Sequence, residues 1–131
     1  MWPVSETPPD GDVIDLAVPC TAEYASTMRV VVASIGADLD FTVDEIDDLR
    51  LGVSEVFTLL ADTDRPARCV ASFVLDGDAV EITLSRDLDD DVIELDGLAS
   101  TILGSVVDEH AVTDRGVVLK KRGAGARRDD D

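Results

Sequence analysis

Thr42 to Leu60 reads TVDEIDDLRLGVSEVFTLL, and this stretch decides the fold. Its opening, Thr42-Val43-Asp44-Glu45, is a capping box. The threonine hydroxyl and the glutamate carboxylate each reach a backbone N–H that the first helical turn leaves free. Val43, Ile46, Leu49, Val53, Val56, Phe57 and Leu60 then recur at three- and four-residue steps, the period of a helix with one buried face. The pattern fades in Asp62-Thr63-Asp64-Arg65-Pro66, where turn formers dominate. A helix with so regular an apolar stripe needs a second layer to bury it, and the flanking sequence provides one.

Upstream, Val13 to Val18 places Ile14, Leu16 and Val18 on one side, a strand pattern ended by Pro19. Thr21 is placed to cap a first helix running to about Ala37, with Tyr24, Met28, Val31, Val32 and Ile35 as its apolar stripe. Downstream, Arg68 to Leu75 and Ala79 to Ser85 flank Asp76-Gly77-Asp78, the signature of a hairpin. An acidic loop follows, Asp87 to Asp91, which reads as a solvated surface segment. A third helix carries Leu95, Leu98, Ala99, Ile102, Leu103, Val106 and Val107 on one face. Two short strands, Ala111 to Thr113 and Val117 to Lys121, close the chain through Asp114-Arg115-Gly116. The order β-α-α-β-β-α-β-β predicts an α+β two-layer sandwich, a mostly antiparallel sheet with helices on one face. The ordered domain is expected over residues 12–122, between an acidic Pro-rich tail at 1–11 and a tail at 123–131 with nothing to bury.

Composition narrows the function classes. A chain of 131 residues fits one domain, and 45% hydrophobic residues are enough for a core. Only 4% are aromatic, so that core rests on Val, Leu, Ile and Ala. A formal charge of −18 repels a phosphate backbone and disfavours direct nucleic-acid binding. It favours a basic protein partner, or else reflects solubility or adaptation to salt. No apolar run is long enough for a membrane span, and Met1 to Asp12 lacks the basic and apolar regions of a signal peptide, so a cytoplasmic setting is expected. Cys20 and Cys69 lack any CxxC context, and with the lone His110 they assemble no zinc site; they read as small apolar fillers. Asp87, Asp89 and Asp91 have the spacing that opens a calcium loop, but Val92 and Leu98 stand where that loop needs Gly and Glu. No metal site is expected. His110 has no partner nucleophile in a recognisable motif.

Three segments carry a family resemblance: Met28 to Ser34, Leu39 to Glu45, and Asp48-Leu49-Arg50-Leu51-Gly52-Val53-Ser54-Glu55-Val56. Together they resemble the first half of RsbW-type anti-sigma factors, bacterial serine kinases with the histidine-kinase-like (GHKL) ATPase fold. The likeness is specific over residues 20–60 and weaker but co-linear over 67–122. It implies that Glu55 occupies the position of a glutamate thought to activate the attacking hydroxyl. It also implies that Arg29 contacts a sigma factor, and that Asp87 stands for an aspartate that hydrogen-bonds adenine. Relatives also dimerise in the neighbourhood of Arg29, so a homodimer is an expectation of the resemblance.

The sequence departs from that pattern three times. Leu59 replaces the asparagine that holds Mg²⁺ one turn after the glutamate, and it offers no oxygen to a hard cation. Asp87-Leu88-Asp89-Asp90-Asp91 replaces D-x-G-x-G with aspartates at both glycine positions. Each carboxylate near a triphosphate costs on the order of 1–4 kcal/mol. Only Leu95-Asp96-Gly97-Leu98 stands where the family has an ATP lid and a glycine-rich helix start. The expectation is a regulatory protein that binds a sigma factor, a STAS-type anti-anti-sigma protein, or both, with no cofactor and no kinase activity, so that Glu55 and Asp87 are relics. The alternative is an active serine kinase that uses Glu55, ATP and Mg²⁺, with one of the new aspartates as metal ligand.

Overall fold

The computed structural model describes residues 12–89 and 91–124. The tails expected at 1–11 and from residue 125 onward lie outside the described residues, as does Asp90. Five strands form one antiparallel sheet: β1 (Asp12–Pro19), β2 (Arg68–Asp76), β3 (Ala79–Arg86), β4 (Glu109–Thr113) and β5 (Gly116–Arg122), in the spatial order β1-β2-β3-β5-β4. Among the described residues three α-helices pack on one face: α1 (Ala25–Asp38), α2 (Val43–Ala61) and α3 (Gly97–Val106). The architecture is the α+β sandwich that the periodicity predicts.

The register explains the burial. Val18 sits opposite Cys69, Ala71 opposite Leu84, and Leu84 opposite Val117, so one parity of each strand faces the helices. Phe57 and Leu60 of α2 lie in the same fully buried cluster as Phe73, Ile82 and Leu119 of the sheet. Removing such a side chain to alanine typically costs about 3–5 kcal/mol. The β2–β3 turn puts Gly77 at φ 63, the left-handed conformation that a two-residue hairpin loop asks of its first central residue. Gly116, at φ 128, lies so close to β3 that an added Cβ would sit 2.2 Å from the Leu84 carbonyl oxygen.

Three expectations need correction. Thr21 does not cap α1. Its hydroxyl turns to the Glu23 carboxylate at 3.4 Å, a single 3₁₀ turn spans Ala22–Tyr24, and the α-helix begins at Ala25. The β1 exit at Pro19 and the Thr21 N–H bonded to the Pro19 carbonyl tighten the chain first. Leu98 is not on the packed face of α3; it is 70% exposed, while Ala99, Leu103 and Val106 point inward. Asp96 caps that helix by accepting the Ala99 N–H at 2.7 Å, which fixes the start of α3 and leaves Leu98 turned outward in the first turn. The acidic loop is not solvated throughout, because Asp91 is pinned against the body of the protein. The fold also runs past residue 122: the Gly123 N–H bonds the Asp78 carbonyl at 2.9 Å, and the Ala124 N–H bonds Glu45 Oε2.

Candidate functional site

Helix α2 is the spine of the site. Gly52 faces the end of α3, where an added Cβ would meet Val106 Cγ2 at 3.4 Å and Val107 Cγ1 at 3.5 Å, ordinary contact distances. Glu55 follows three residues later and Leu59 four after that, one turn apart on the same side of the helix. Both are half-buried, and Leu59 packs against the core. Among the described residues Glu55 has no ion-pair or hydrogen-bond partner. The structure thus brings Glu55 and Leu59 together as the spacing predicts, with hydrocarbon where an oxygen ligand would stand.

The C-terminal end of α2 is built from distant parts of the chain. The Leu60 carbonyl accepts from Arg86 Nη1 at 2.9 Å and from the Cys20 thiol at 3.1 Å. Both donors meet the partial negative charge that accumulates at a helix C-terminus. Arg86 Nε reaches Asp91 Oδ2 at 2.8 Å, with the two side chains only 14% and 13% exposed. The hydrogen bond that Arg86 donates to the Asp91 carboxylate raises the guanidinium pKa above its ordinary value. Ile93 and Leu95 continue the loop and pack against the core beside it.

Asp87 is engaged nearby. Its carboxylate accepts the Arg68 N–H at 2.5 Å and Arg68 Nε at 3.3 Å, while its own N–H donates to the Arg68 carbonyl at 3.0 Å. These bonds extend the β2–β3 ladder by one step. The backbone N–H of Arg68 above all, with the guanidinium behind it, pulls the Asp87 pKa down. Asp89 joins no ion pair among the described residues, and no cluster of His, Cys, Asp and Glu there could hold a metal ion.

Arg29 lies on α1, half-buried beside the fully buried Met28 and the exposed Val30. No ion pair joins it to Glu23 or to any other described residue. Glu23 sits six residues earlier in the 3₁₀ turn, off the three- or four-residue step that would align the two. Cys20 and Cys69 are both buried free thiols. Burial pushes Cys20 up and carries Cys69 to about 12, so both stay neutral as the filler reading requires. His110 Nε2 lies 3.2 Å from the Ser100 hydroxyl, between β4 and α3.

The sequence reading missed Arg86 and Lys121. Lys121 Nζ donates to the Val106 carbonyl at 2.8 Å, closing the end of α3, and lies 3.8 Å from Asp48 of α2. Its side chain is 10% exposed. A signal was present: strand alternation puts Lys121 on the core side with Val117 and Leu119, where a lysine must find partners.

With this geometry in hand, known proteins give a consistent match. Serine-protein kinase RsbW of Bacillus subtilis (strain 168) is 35% identical over 49 residues, which is 37% of this chain and 31% of that protein. The chain is similar to the RsbW serine-protein kinases. RsbW of Halalkalibacterium halodurans is 30% identical over 76 residues, 56% of this chain and 47% of that protein. RsbW of Staphylococcus aureus is 36% identical over 47 residues, 36% of this chain and 30% of that protein. The matched chain spans less than half the length of these curated relatives. No family model matches. Among the described residues no helix is long and apolar enough to cross a membrane.

Proposed function

We propose that this protein is a regulatory binding module of the anti-sigma type, which holds a sigma factor, a STAS-type antagonist, or both, and has no kinase activity. The observation that carries the reading is the packing of Leu59 against the core one turn beyond Glu55. A Mg²⁺ ion needs oxygen ligands in near-octahedral geometry, and this position has none. The loop adds to the case. The Asp87 carboxylate is already paired with Arg68, and that of the nearly buried Asp91 with Arg86, so an adenine amino group or a metal would compete with these partners. The residues present therefore do not fit Mg·ATP, and no phosphoryl-transfer step is assigned to them.

Partner binding rests on charge and on Arg29. The chain carries 29 acidic residues against 11 basic ones, which suits a partner with a basic surface. Arg29, unpaired among the described residues and flanked by exposed Val30, is the side chain we assign to that contact.

Calorimetric titration with ATP, with and without Mg²⁺, tests the first half. No heat and no thermal stabilisation at millimolar nucleotide is expected. Mg²⁺-dependent micromolar binding would overturn it and make Glu55 a catalytic base. For the second half, co-purification of a sigma factor or a STAS protein, weakened by Arg29→Ala, is expected. Retrieval of neither would remove the anti-sigma reading.

A further inference from the structure

We propose that the outer flank shared by α2 and α3 is a docking surface for an amphipathic helix of a protein partner, one that presents leucine-class side chains with lysine or arginine beside them. Contacts on both sides of α3 fix how it sits. Its end meets α2 at Gly52, where an added Cβ would lie 3.4 Å from Val106 Cγ2 and 3.7 Å from Leu103 Cδ2. Its other side meets β4: the Ser100 hydroxyl lies 3.2 Å from His110 Nε2, and a Cβ on Gly104 would lie 3.8 Å from the same ring. Ala99, Leu103 and Val106 point into the core. Leu98 and Ile102, one turn apart, are therefore on the flank turned towards α2.

On α2, Leu51, Glu55 and Leu59 follow one another at four-residue steps, on the side of Gly52 away from the buried Leu49, Val53 and Leu60. Leu98 is 70% exposed and Leu51 49%, while Ile102 and Leu59 are half-buried. A single exposed leucine is ordinary on a surface. Here two stand on adjoining helices beside half-buried apolar neighbours, and an apolar strip of that kind marks a site of interaction.

Charge selects the occupant. From Gly97 to Val106 α3 carries no charged residue, and the basic residue of α2, Arg50, is paired with Asp47 at 3.3 Å. Glu55 and Asp62 on α2, with Glu94 and Asp96 ahead of α3, give the strip an acidic rim. Glu55 forms no ion pair or hydrogen bond among the described residues. An apolar strip with such a rim matches a helix whose leucines recur at i, i+3, i+4 and i+7 and whose flanks are basic. A second copy of this chain, of net charge −18, would bring a like-charged rim to the same place, so self-association there is opposed. Because the strip includes Glu55 and Leu59, the inference rests on the reading that Mg·ATP does not occupy them. It is separate from Arg29 on α1 and from the partner's being a sigma factor or a STAS protein.

The test is fluorescence anisotropy of a labelled helical peptide of about 18 residues, leucine on one face and lysine on the other, titrated with the full chain. The controls are a scrambled peptide of the same composition and a patterned peptide of leucine and glutamate. The patterned leucine–lysine peptide is expected to bind about tenfold more tightly than either control, or better. Leu98→Ser and Leu51→Ser, both at exposed positions, should each weaken it about tenfold. Val43→Ser, which removes an exposed apolar residue from the start of α2 away from the strip, should leave it unchanged. Equal binding of the scrambled peptide, or binding that neither leucine variant alters, would sink the proposal. If circular dichroism shows the leucine variants unfolded, Glu55→Lys decides: it should weaken the leucine–lysine peptide and strengthen the leucine–glutamate one, and no change in either overturns the proposal. A wild type that sediments as a dimer dispersed by Leu98→Ser would give the surface to a second copy instead, and so overturn it. Millimolar Mg·ATP is expected to leave the peptide bound. Displacement, with the leucine variants still defective, would overturn the reading that no nucleotide binds and leave the docking surface standing.

Discussion

The two ends of α2 are closed by different means. At the N-terminus the Thr42 hydroxyl accepts the Glu45 N–H at 3.1 Å, and Glu45 Oε1 accepts the Thr42 N–H at 2.7 Å. Every partner there lies within four residues, save the Ala124 N–H that completes the Glu45 carboxylate. At the C-terminus the Leu60 carbonyl depends on Arg86, 26 residues away, and on Cys20, 40 residues away. The first closure forms with the helix itself; the second exists only once the sheet is assembled. Local chemistry writes itself into adjacent letters, and tertiary chemistry does not.

The largest effect should come from breaking the distant closure on one side. Arg86→Met leaves the nearly buried Asp91 carboxylate without its partner among the described residues, and takes one of two donors from the Leu60 carbonyl at the end of α2. A loss of about 3–5 kcal/mol is expected in urea unfolding. The double variant Arg86→Met, Asp91→Leu should recover most of that loss, because no charge remains stranded. A double variant as unstable as the single one would show that the Leu60 contact, and not the ion pair, matters most. Next in size, Thr42→Ala should cost about 1 kcal/mol, the usual worth of an N-cap. A cost as large as that of Arg86→Met would erase the contrast between the two ends.

The same contrast sets how much could be read in advance. The capping box, the hairpin at Gly77 and the existence of three helices follow from short-range pattern, although α1 begins only at Ala25 and α3 at Gly97. Glu55 and Leu59 share a helical face for the same reason. Thr21 looked like a second N-cap, but capping depends on the path into the helix, and the 3₁₀ turn after β1 redirects its hydroxyl. Asp91 looked like one aspartate among several in a wet loop; only the fold brings Arg86 beneath it. No spacing rule links residues that meet through a sheet.

Smaller effects separate the ends by pH. Glu45 titrates below its ordinary 4.5. Burial acts against that shift, and the Thr42 and Ala124 N–H bonds together outweigh it. A depressed carboxylate stabilises the native state above its unfolded value, and that contribution is lost as pH falls through the folded one. Glu45→Gln should therefore flatten the acid limb of the stability curve below about pH 4.5, its cost full at pH 7 and fading as pH falls. Near the other end the sign reverses. Cys69 rises from 9.0 to about 12 on burial, so native stability holds below pH 9 and declines between those values as the unfolded thiol ionises. Cys69→Ala should lose that alkaline slope, and an unchanged slope would show that another group controls it. The smallest change expected is Cys20→Ser, which exchanges a weak thiol donor to Leu60 for a hydroxyl and costs about 0.5 kcal/mol.

The place of β5 in the sheet bears on the order of synthesis. β5 lies inside the sheet between β3 and β4, its Lys121 closes α3, and the residues just beyond it bond Asp78 and Glu45. A chain emerging from the ribosome amino end first exposes α1, α2 and the β2–β3 hairpin long before those partners exist. The capping box can start α2 at once, but the helix layer has no finished sheet to rest on until residue 124 is free of the exit tunnel. Nascent chains halted before β5 should be open to proteases from β1 to β4, and emergence of residues 116–124 should turn protection on in a single step.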